Sequence, residues 1–566
     1  MLRKKNNTRK NEITTCKVVD IISKMRILLT SLIACIVCVP SAFSQPAVNI
    51  ETAHLINEKK LTWTGTSEND IGKIIEKSNE KIDHKSFNED KLFDLSTKLT
   101  EEVRAAGYIL GQVLISKDDY EIYRENGLIK LTVFPGNVGE IVVNNSSKVN
   151  TVWIKSSAEK ILCPDGVGDR CALRKVNLER LTQLLQDAAG LQLGVVEFSP
   201  YGVGVGQTKV TINAIEKEFK YRGAIGFDNH GSVSSGQYHL GATIASENMI
   251  GIGDSYTLNS SLSSKDNVAG GIDIVIPVGL NGLRMQSSIA RSQLVLPGSS
   301  GTSTTGVSNS ASLGLAYPWI RGLDLNLSST INALGAFSEY GQSEVTISKK
   351  TIYAVQFSMS ANSGDRALLL DADTWNVQTT LTMGQVSDAA AIIPTSAKYS
   401  KLVFQALKKK TLSADQGIYA LVNMRGQWAN SNLDAYEKFL LTGVNGARAY
   451  SPDQGTVDQG FIASIDVRKD INTAWGRMTP GVFFDYANGF INKNTYENWQ
   501  INSGYSNSAQ SNNFTLSNYG LSLNITGFKN SWLSATWARQ MNASPAMLSN
   551  DSSANSQFWV SLRTQY

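Results

Sequence analysis

Long hydrophobic runs are missing from most of this sequence. Beyond its N-terminal segment, the 566-residue chain has no stretch of 18 or more apolar residues, which argues against transmembrane helices. Proline is scarce, with 12 residues, whereas glycine (46) and tyrosine (19) are common. This balance is typical of a large β-structure with aromatic residues at interfaces. The length exceeds that of one ordinary core, so we expect more than one domain.

Residues with catalytic or metal-binding potential are few. The four histidines, His54, His84, His230 and His239, form no HExxH motif and no paired spacing for a metal ion. The sequence also lacks a GxSxG nucleophile elbow and a GxxxxGKS/T phosphate loop. We therefore expect a protein that is not an enzyme and that uses no metal and no cofactor.

The first 44 residues have the composition of a targeting sequence. A basic region ends at Lys24-Met25-Arg26, an apolar stretch runs from Ile27 to Val39, and small residues follow at Ala42-Phe43-Ser44. The apolar stretch is too short to cross a bilayer, so residues 1–44 are predicted to be a cleavable secretory signal, with a short membrane anchor as the alternative. Because the basic region is long, Met25 is a second candidate for the start.

Removing this segment changes the charge balance. Residues 1–44 hold eight of the 53 Lys and Arg residues and two of the 49 Asp and Glu residues. The remaining chain has 45 basic and 47 acidic residues, a net charge of −2, so the basic character of the whole chain belongs to the segment. We therefore expect no nucleic acid among the partners.

Only two cysteines, Cys163 and Cys171, lie beyond this segment. An even pair in an exported chain predicts one disulfide that closes the short loop between the two residues. A zinc site is the alternative, although no histidine and no second cysteine pair lies near them in the sequence.

Residues 45 to about 216 mix helical and strand patterns. Helical spacing over Phe87–Ala106 ends at Gly107-Tyr108 and is followed by two strands, 109–115 and 128–134. A comparable order then recurs, with strands and helices over 140–143, 152–162, 178–188, 195–199 and 208–214. Two small α/β modules in tandem, residues 71–137 and 138–216, are the simplest interpretation.

From residue 217 onward, apolar and polar residues alternate in short runs separated by Gly, Ser, Asn and Asp. A soluble sandwich would show the same alternation, but this length also accommodates about 14 to 18 membrane strands with their connections. The Gly- and Ser-rich run 297–306 is typical of a long surface loop. Residues 248–254 and 318–322 are expected to be short connections on the opposite side.

The chain terminus distinguishes the two architectures. On a strand, Phe558, Val560, Leu562, Thr564 and Tyr566 share one face, and the last residue is aromatic. Ten or so residues match a tilted membrane strand, and the pattern resembles the assembly signal of bacterial outer-membrane barrels. We therefore predict a transmembrane β-barrel over residues 217–566.

The modules before this barrel resemble a known type. Helix, Gly107-Tyr108, strand and then Asn126–Val133 are similar to the polypeptide-transport-associated (POTRA) module. Two such modules before a barrel resemble the two-partner secretion transporters (TpsB, the haemolysin secretion/activation family) of Gram-negative outer membranes. The resemblance implies two α+β POTRA modules in the periplasm, an all-β barrel of about 16 antiparallel strands, and a plug helix or linker over residues 45–70.

The same resemblance implies a function. Such a pore captures an unfolded exoprotein through its POTRA modules and moves it to the cell surface or medium, and in some cases activates this adhesin or haemolysin. The expected partners are the large exoprotein, outer-membrane lipid and, during biogenesis, the barrel assembly machinery. Two alternatives stay open: an outer-membrane protein assembly factor, and a porin that would not need the modules.

One glycine-rich loop, residues 442–455, matches a motif of this family. It carries Ala447-Arg448-Ala449-Tyr450 where the family has a Val-Arg-Gly-Tyr-like sequence. The resemblance implies that the loop folds back into the pore. The family's partner motif, Phe-x-Asp-x-Gly on an inward strand face, matches Phe483-Phe484-Asp485-Tyr486-Ala487.

These matches predict one charge pair in the lumen. Period-two alternation places Phe483, Asp485 and Ala487 on one face, so the carboxylate is expected to meet the guanidinium of Arg448. In both motifs alanine replaces the family's glycine, and Ala449 and Ala487 must therefore avoid positive φ angles.

Overall fold

The structure is a computed structural model in which two small α/β units precede a closed β-barrel. Within the described ranges no helix is both long and apolar enough to cross a membrane. The expected signal segment, residues 1–44, lies outside the residues that the structure describes. Those residues are 51–56, 60–63, 70–79, 89–119, 121, 129–202, 206–218, 221–233, 235–297, 303–342, 345–365, 373–388, 397–502, 511–528, 530–542 and 555–566.

The first unit is a four-stranded antiparallel sheet in the order β2-β1-β4-β3, with two helices. Leu92, Leu95 and Leu99 recur at helical spacing in α2, and their side chains are buried in a core with Leu131 and Val133. The elements are β1 Glu51–Ile56, β2 Lys60–Trp63, α1 Asp70–Asn79, α2 Glu89–Ala105, β3 Gln112–Leu114 and β4 Ile129–Phe134.

This unit corrects the expectation for residues 45–70. Residues 51–56 and 60–63 are strands that pair with each other, and β1 also pairs with β4. The predicted plug helix is therefore wrong for these described residues, and the first helix begins at Asp70. The sequence offers a reason, because Ala53 and Leu55 alternate with polar neighbours at the period of a strand.

The second unit is a three-stranded sheet in the order β5-β7-β6, covered by two helices. Asn150 caps the first of these helices, since its side-chain oxygen accepts the N–H groups of Val152 and Trp153 at 2.8 and 3.2 Å. Leu181 and Ile212 are fully buried in the shared core. The elements are β5 Asn137–Asn145, α3 Thr151–Leu162, α4 Lys175–Gln186, β6 Leu191–Pro200 and β7 Gln207–Glu216.

Cys163 and Cys171 are joined by a disulfide in this unit. Their Cα atoms are 5.0 Å apart, and both side chains are buried in the core of the second unit. The bond links the end of α3 to the segment that leads into α4 across a separation of eight residues.

Replacing both cysteines by serine is expected to lower the free energy of unfolding of the second unit by about 2 to 3 kcal/mol. Without the disulfide, the unfolded chain gains conformational entropy that the closed loop had removed. Limited trypsin digestion of the intact protein should then cut faster between residues 163 and 175. Reductant-treated wild-type protein is the matched control and should behave like the double variant. Equal digestion of oxidised wild type and variant would contradict the prediction.

In the described residues, sixteen antiparallel strands close the barrel, which confirms the predicted fold class. Each strand pairs with its sequence neighbour, and β26 closes the ring on β8. Two short strands, β19 Phe439–Leu440 and β20 Thr456–Val457, pair with each other in the connection that follows β18. Strands β21 and β22 form one barrel strand, interrupted at Asp470. The bounds are β8 Tyr221–Asp228, β9 His239–Glu247, β10 Ser255–Ser263, β11 Val268–Pro277, β12 Arg284–Pro297, β13 Ser303–Arg321, β14 Asn326–Gln342, β15 Val345–Asn362, β16 Thr374–Asp388, β17 Lys398–Ser413, β18 Ile418–Ala429, β21 Gln459–Lys469, β22 Ile471–Thr473, β23 Gly476–Phe490, β24 Asn513–Phe528, β25 Ser531–Gln540 and β26 Ser556–Gln565.

The alternation expected of a barrel wall is visible in the last strand. Phe558 and Leu562 are exposed on the outer face together with the terminal residue Tyr566, and Val560 is half-buried between them. Trp559, on the opposite face, is buried in the lumen. Phe558 pairs with Trp537 of β25 and Leu562 with Phe227 of β8, so these side chains belong to a continuous apolar surface.

The second unit rests on one end of the barrel. Asp187, which follows α4, accepts hydrogen bonds from Arg321 at 2.8 and 2.9 Å and lies 3.1 Å from Arg284. Arg180 of α4 donates to the carbonyls of Asn281 and Trp319 at 2.9 and 3.2 Å. These contacts involve the connection that follows β11, the start of β12 and the end of β13, so this is the end of the barrel that carries the second unit.

The connections at this end are short, with one correction. Residues 248–254 form a turn in which buried Asp254 accepts the N–H groups of Met249 and Ile250. Residues 318–321, expected in a connection, belong to β13, and the register shifts between Pro318 and Ile320. An irregularity therefore accommodates the proline inside the strand. At the other end, β12 extends to Pro297, and residues 298–302 lie outside the described ranges.

Candidate functional site: a loop pinned in the barrel lumen

The connection between β18 and β21, residues 430–458, folds back into the barrel. Its fully buried residues include Leu441, Ala447, Ala449 and Tyr450. They pack against side chains from the lumen face of β23, β24 and β25, including Phe483, Leu516 and Ala538. The loop is therefore a packed part of the barrel interior.

Arg448 joins this loop to two carboxylates on adjacent strands. Its Nε and Nη2 atoms donate to Asp485 of β23 at 2.9 and 2.6 Å. Its Nη1 and Nη2 atoms donate to Asp466 of β21 at 3.2 and 2.8 Å. The guanidinium thus makes bidentate contacts with both acids, an arrangement that a lysine could not reproduce.

Asp485 is the more enclosed of the two acids. It is fully buried, and it also accepts the backbone N–H of Arg448 at 3.2 Å and the side-chain amide of Asn518 at 2.7 Å. Asp466 is shared with Arg468, which donates to it at 2.7 Å. Asp485 therefore depends on Arg448 for its counter-charge, whereas Asp466 has a second arginine.

The environment of Arg448 fixes its charge. Burial alone would lower the pKa of Arg448, but hydrogen bonds and opposite charge from Asp485 and Asp466 outweigh burial and hold the pKa above its usual value. The guanidinium also stacks on Phe483, with 3.4 Å between its central carbon and the ring centroid. The cation is therefore permanent and held on three sides.

The residues beside Arg448 attach the loop to three further strands. The hydroxyl of Tyr450 donates to the carbonyl of Ser517 in β24 at 3.0 Å. The side-chain amide of Gln540 in β25 donates to the carbonyl of Ala449 at 3.0 Å. The indole N–H of Trp559 in β26 donates to the carbonyl of Arg448 at 2.7 Å. Including Asp466 and Asp485, five consecutive wall strands hold this short segment.

Two glycines give the loop its path. Gly443 has a φ of +86°, a conformation that side chains other than glycine rarely adopt. A Cβ on Gly446 would lie 2.4 Å from the carbonyl oxygen of Leu441, which is backbone and cannot rotate away. The turn that presents Arg448 therefore needs glycine for conformation at one position and for space at the other.

The two alanines that replace the family's glycines fit without strain. Neither Ala449 nor Ala487 has a positive φ angle, and both methyl groups are fully buried in the cluster around Tyr450. Phe483 and Asp485 face the same interior, while Val482 and Phe484 are exposed on the outer surface. The structure thus brings the two matched motifs together.

The ends of the loop are fixed by buried lysine–carboxylate pairs. Fully buried Asp458 lies 2.7 Å from the Nζ of Lys438 and accepts the backbone N–H groups of Leu433 and Lys493. Glu437 pairs with Lys401 of β17 at 2.7 Å. Further along the wall, Asp434 pairs with Lys350 of β15 at 2.6 Å. We call Asp434, Glu437 and Asp458, with their lysines, the loop root.

Lys438→Ala is expected to loosen the loop root by about 3 kcal/mol, because Asp458 stays buried without its counter-charge. Protease added to intact cells should cut residues 430–458 faster than in the wild type. The matched control is Lys493→Ala, since Lys493 contacts Asp458 through its backbone N–H and keeps that bond. Equal cleavage of the two variants would show that the ion pair does not hold the root.

Sequence reasoning missed Asp466 as the second acid. The alternation of β21 carried the signal, because Ile462, Ser464 and Asp466 recur at period two on the face opposite Ile465 and Val467. The contribution of Trp559 had no comparable signal, since its contact depends on how the ring closes. Among the residues that the structure describes, no group of three or more His, Cys, Asp or Glu could hold a metal ion.

A closed barrel with an arginine loop pinned in its lumen, preceded by two α/β units, defines the class of outer-membrane transport barrels with soluble modules. The chain belongs to the haemolysin secretion/activation protein family ShlB/FhaC/HecB, whose pattern matches residues 206–525. It is therefore an outer-membrane transporter of the two-partner secretion (TpsB) type.

Individual proteins are similar to the chain in sequence or in fold. The chain is 22% identical over 490 residues to the heme/hemopexin transporter protein HuxB of Haemophilus influenzae (strain ATCC 51907 / DSM 11121 / KW20 / Rd), a match that covers 83% of this chain and 80% of HuxB. The fold is similar to CdiB from Acinetobacter baumannii, with a TM-score of 0.65 and 15% identity over 97% and 98% of the two chains. It is also similar to BamA from Haemophilus ducreyi, with a TM-score of 0.52 and 12% identity over 88% and 98%.

Proposed function

We propose that this protein captures one unfolded exoprotein in the periplasm through its soluble units and passes it through the barrel to the cell surface or medium. The observation that carries this proposal is the loop of Arg448, which occupies the lumen but is held by side-chain contacts that can be broken without opening the wall. All wall strands pair with two neighbours, so the barrel does not depend on the loop for closure. A loop with these properties serves as a gate.

The soluble units supply surfaces for capture. In the second unit β5 and β6 are the edges of the sheet, and a strand edge can pair with an extended chain through backbone hydrogen bonds. Val195 and Phe198 of β6 are exposed beside this edge. They would add apolar contacts to backbone pairing, which suits a substrate that is unfolded and recognised through many weak contacts.

The outer surface of the barrel carries the residues that we assign to two further partners, lipid and the barrel assembly machinery. The exposed side chains of Phe558, Leu562 and Tyr566 would contact lipid in the mature barrel. We assign the same strand to recognition by the barrel assembly machinery during biogenesis, because its alternating apolar residues with aromatic Tyr566 resemble the assembly signal of such barrels. Truncation after Thr564 tests this assignment and should reduce the amount of folded barrel in the outer membrane.

Deleting the gene and comparing proteins of the surface and medium tests the proposed function. Loss of one large exoprotein, restored by the wild-type gene, is the expected result. A general loss of outer-membrane barrels would instead indicate an assembly factor, and normal levels of both would indicate a porin. Haemolysis or adhesion by the recovered exoprotein, with and without passage through the transporter, tests the activation expected from the family.

A further inference from the structure

A polar cavity of about 470 Å³ lies in the lumen beside the tip of the pinned loop. One side is formed by Val444, Asn445 and Gly446 of the loop. Next to the pinned Arg448, β21 closes a second side with Ser464, Asp466 and Arg468. The remaining side is the wall of β16, β17 and β18, where four amide side chains line the cavity beside Arg425. These are Asn376, Gln378, Gln405 and Asn423, which we call the amide wall.

The amide wall differs from the polar row that β9, β10 and β11 present on the opposite wall of the lumen. On the opposite wall Thr243 donates to Asn259 at 3.0 Å, and Asn259 donates to Asp273 at 3.1 Å, so that row is satisfied internally. No side-chain hydrogen bond joins the four amides of the amide wall to another residue that the structure describes. Their donors and acceptors are thus available to a molecule in the cavity.

The spacing of the amides matches one kind of molecule. Gln378 and Gln405 are directly paired across the strands, and Asn376 and Asn423 flank the next inward position, Leu407. The two rows are two residues apart along a strand, or about 7 Å. An extended polypeptide presents backbone groups toward one side at the same interval. Each amide offers donors and an acceptor, so it can bond either to an N–H or to a C=O group.

We propose that the amide wall is the track along which the exoprotein backbone slides, an inference that rests on the proposed function. Neutral amides exchange hydrogen bonds with any sequence and hold no charged side chain strongly, which a moving substrate requires. Arg448 pins the loop to β21 and β23, next to this wall, and Arg425 of β18 binds the carbonyl of Asn445 at the tip. Release of that tip contact widens the cavity beside the track.

A photo-crosslinking amino acid placed in the lumen tests the track. Positions Gln378, Gln405 and Asn423 are compared with Val377 and Val422, neighbours on the same strands that face lipid and are exposed on the outer surface. The substrate is the exoprotein identified by gene deletion, stalled in transit by a stable domain fused to its C-terminus. Adducts at the lumen positions should exceed those at the lipid-facing positions by at least about tenfold, because a side chain facing lipid cannot touch a chain in the lumen.

Crosslinking at Asn259, on the opposite wall, distinguishes failure of the track from failure of the proposed function. Adducts at Asn259 equal to or above those at Gln405 would overturn the track while leaving protein translocation intact. If gene deletion removes no exoprotein, the result contradicts the proposed function and therefore also the track, which rests on it. Adducts concentrated on the amide wall support both.

Replacing the amides by leucine gives a second readout. The variant Gln378→Leu with Gln405→Leu keeps similar volume and removes the exchangeable hydrogen bonds, and its rate of export should fall by about fivefold or more. The matched control is Val377→Leu, on the lipid side. Heat-dependent migration in gels monitors folding of each barrel. Wild-type export by a folded double variant would overturn the track.

Discussion

Cells that carry Arg448→Ala are expected to retain a folded barrel in the outer membrane and to lose export of the exoprotein. The substitution leaves Asp485 fully buried without its counter-charge, which costs about 3 to 5 kcal/mol. A change of about 3 kcal/mol shifts the balance between docked and undocked loop by roughly 100-fold. The penalty falls on the loop, because the strands keep their backbone hydrogen bonds.

Two measurements on the same cells check this result. Heat-dependent migration in gels reports whether the barrel folds, and immunodetection of the exoprotein in the medium reports export. The matched control is Arg477→Ala. Arg477 is half-exposed and lies near the start of β23, the strand that also carries Asp485. Arg448→Lys should also be impaired, since an ammonium cannot bind both acids bidentately. Export at the wild-type level by Arg448→Ala would reject the gate.

Asp485→Ala is expected to impair export more severely than Asp466→Ala. Asp485 binds both the guanidinium and the backbone N–H of Arg448, so its loss removes three of the hydrogen bonds that position the loop. Loss of Asp466 leaves Arg448 paired with Asp485, although Arg468 then loses its own partner. We expect a difference of about tenfold in exported protein between the two variants, from roughly 1.4 kcal/mol of additional loop destabilisation.

Asp470→Ala is the control for this comparison. Asp470 interrupts the same barrel strand and contacts Thr479 and Arg477, away from the loop. Export should follow the order Asp470→Ala, Asp466→Ala, Asp485→Ala, with the last the lowest. A lower level for Asp466→Ala than for Asp485→Ala would show that the pairing with β21, and not with β23, positions the gate.

The barrel could be predicted from the sequence because every strand of a membrane barrel has the same requirement, an apolar outer face and a polar inner face. Period-two alternation and the aromatic terminal strand follow directly from lipid on one side and a polar lumen on the other. The pairing of Arg448 with Asp485 was predicted from the family resemblance together with the inward parity of Asp485. Both partners were identified because each lies in a distinctive local motif.

Other features depend on contacts that no local pattern encodes. Strand β1 joins the first sheet by pairing with β4, which lies more than 70 residues away in the sequence, and β2 pairs with β1, so a short run was mistaken for helix. The loop root combines lysines from β15, β17 and the loop itself, and their partners become evident only when these segments meet. Docking of Asp187 on Arg321 likewise joins two domains whose relative position the sequence does not specify.

The bond from the Trp559 indole to the carbonyl of Arg448 also has a consequence for biogenesis. Trp559 lies on β26, the strand that closes the ring on β8. The surface that receives the arginine segment is therefore incomplete until β26 and β8 have paired. Seating of the gate is thus a late event in assembly, and the seated loop is a mark of a finished barrel.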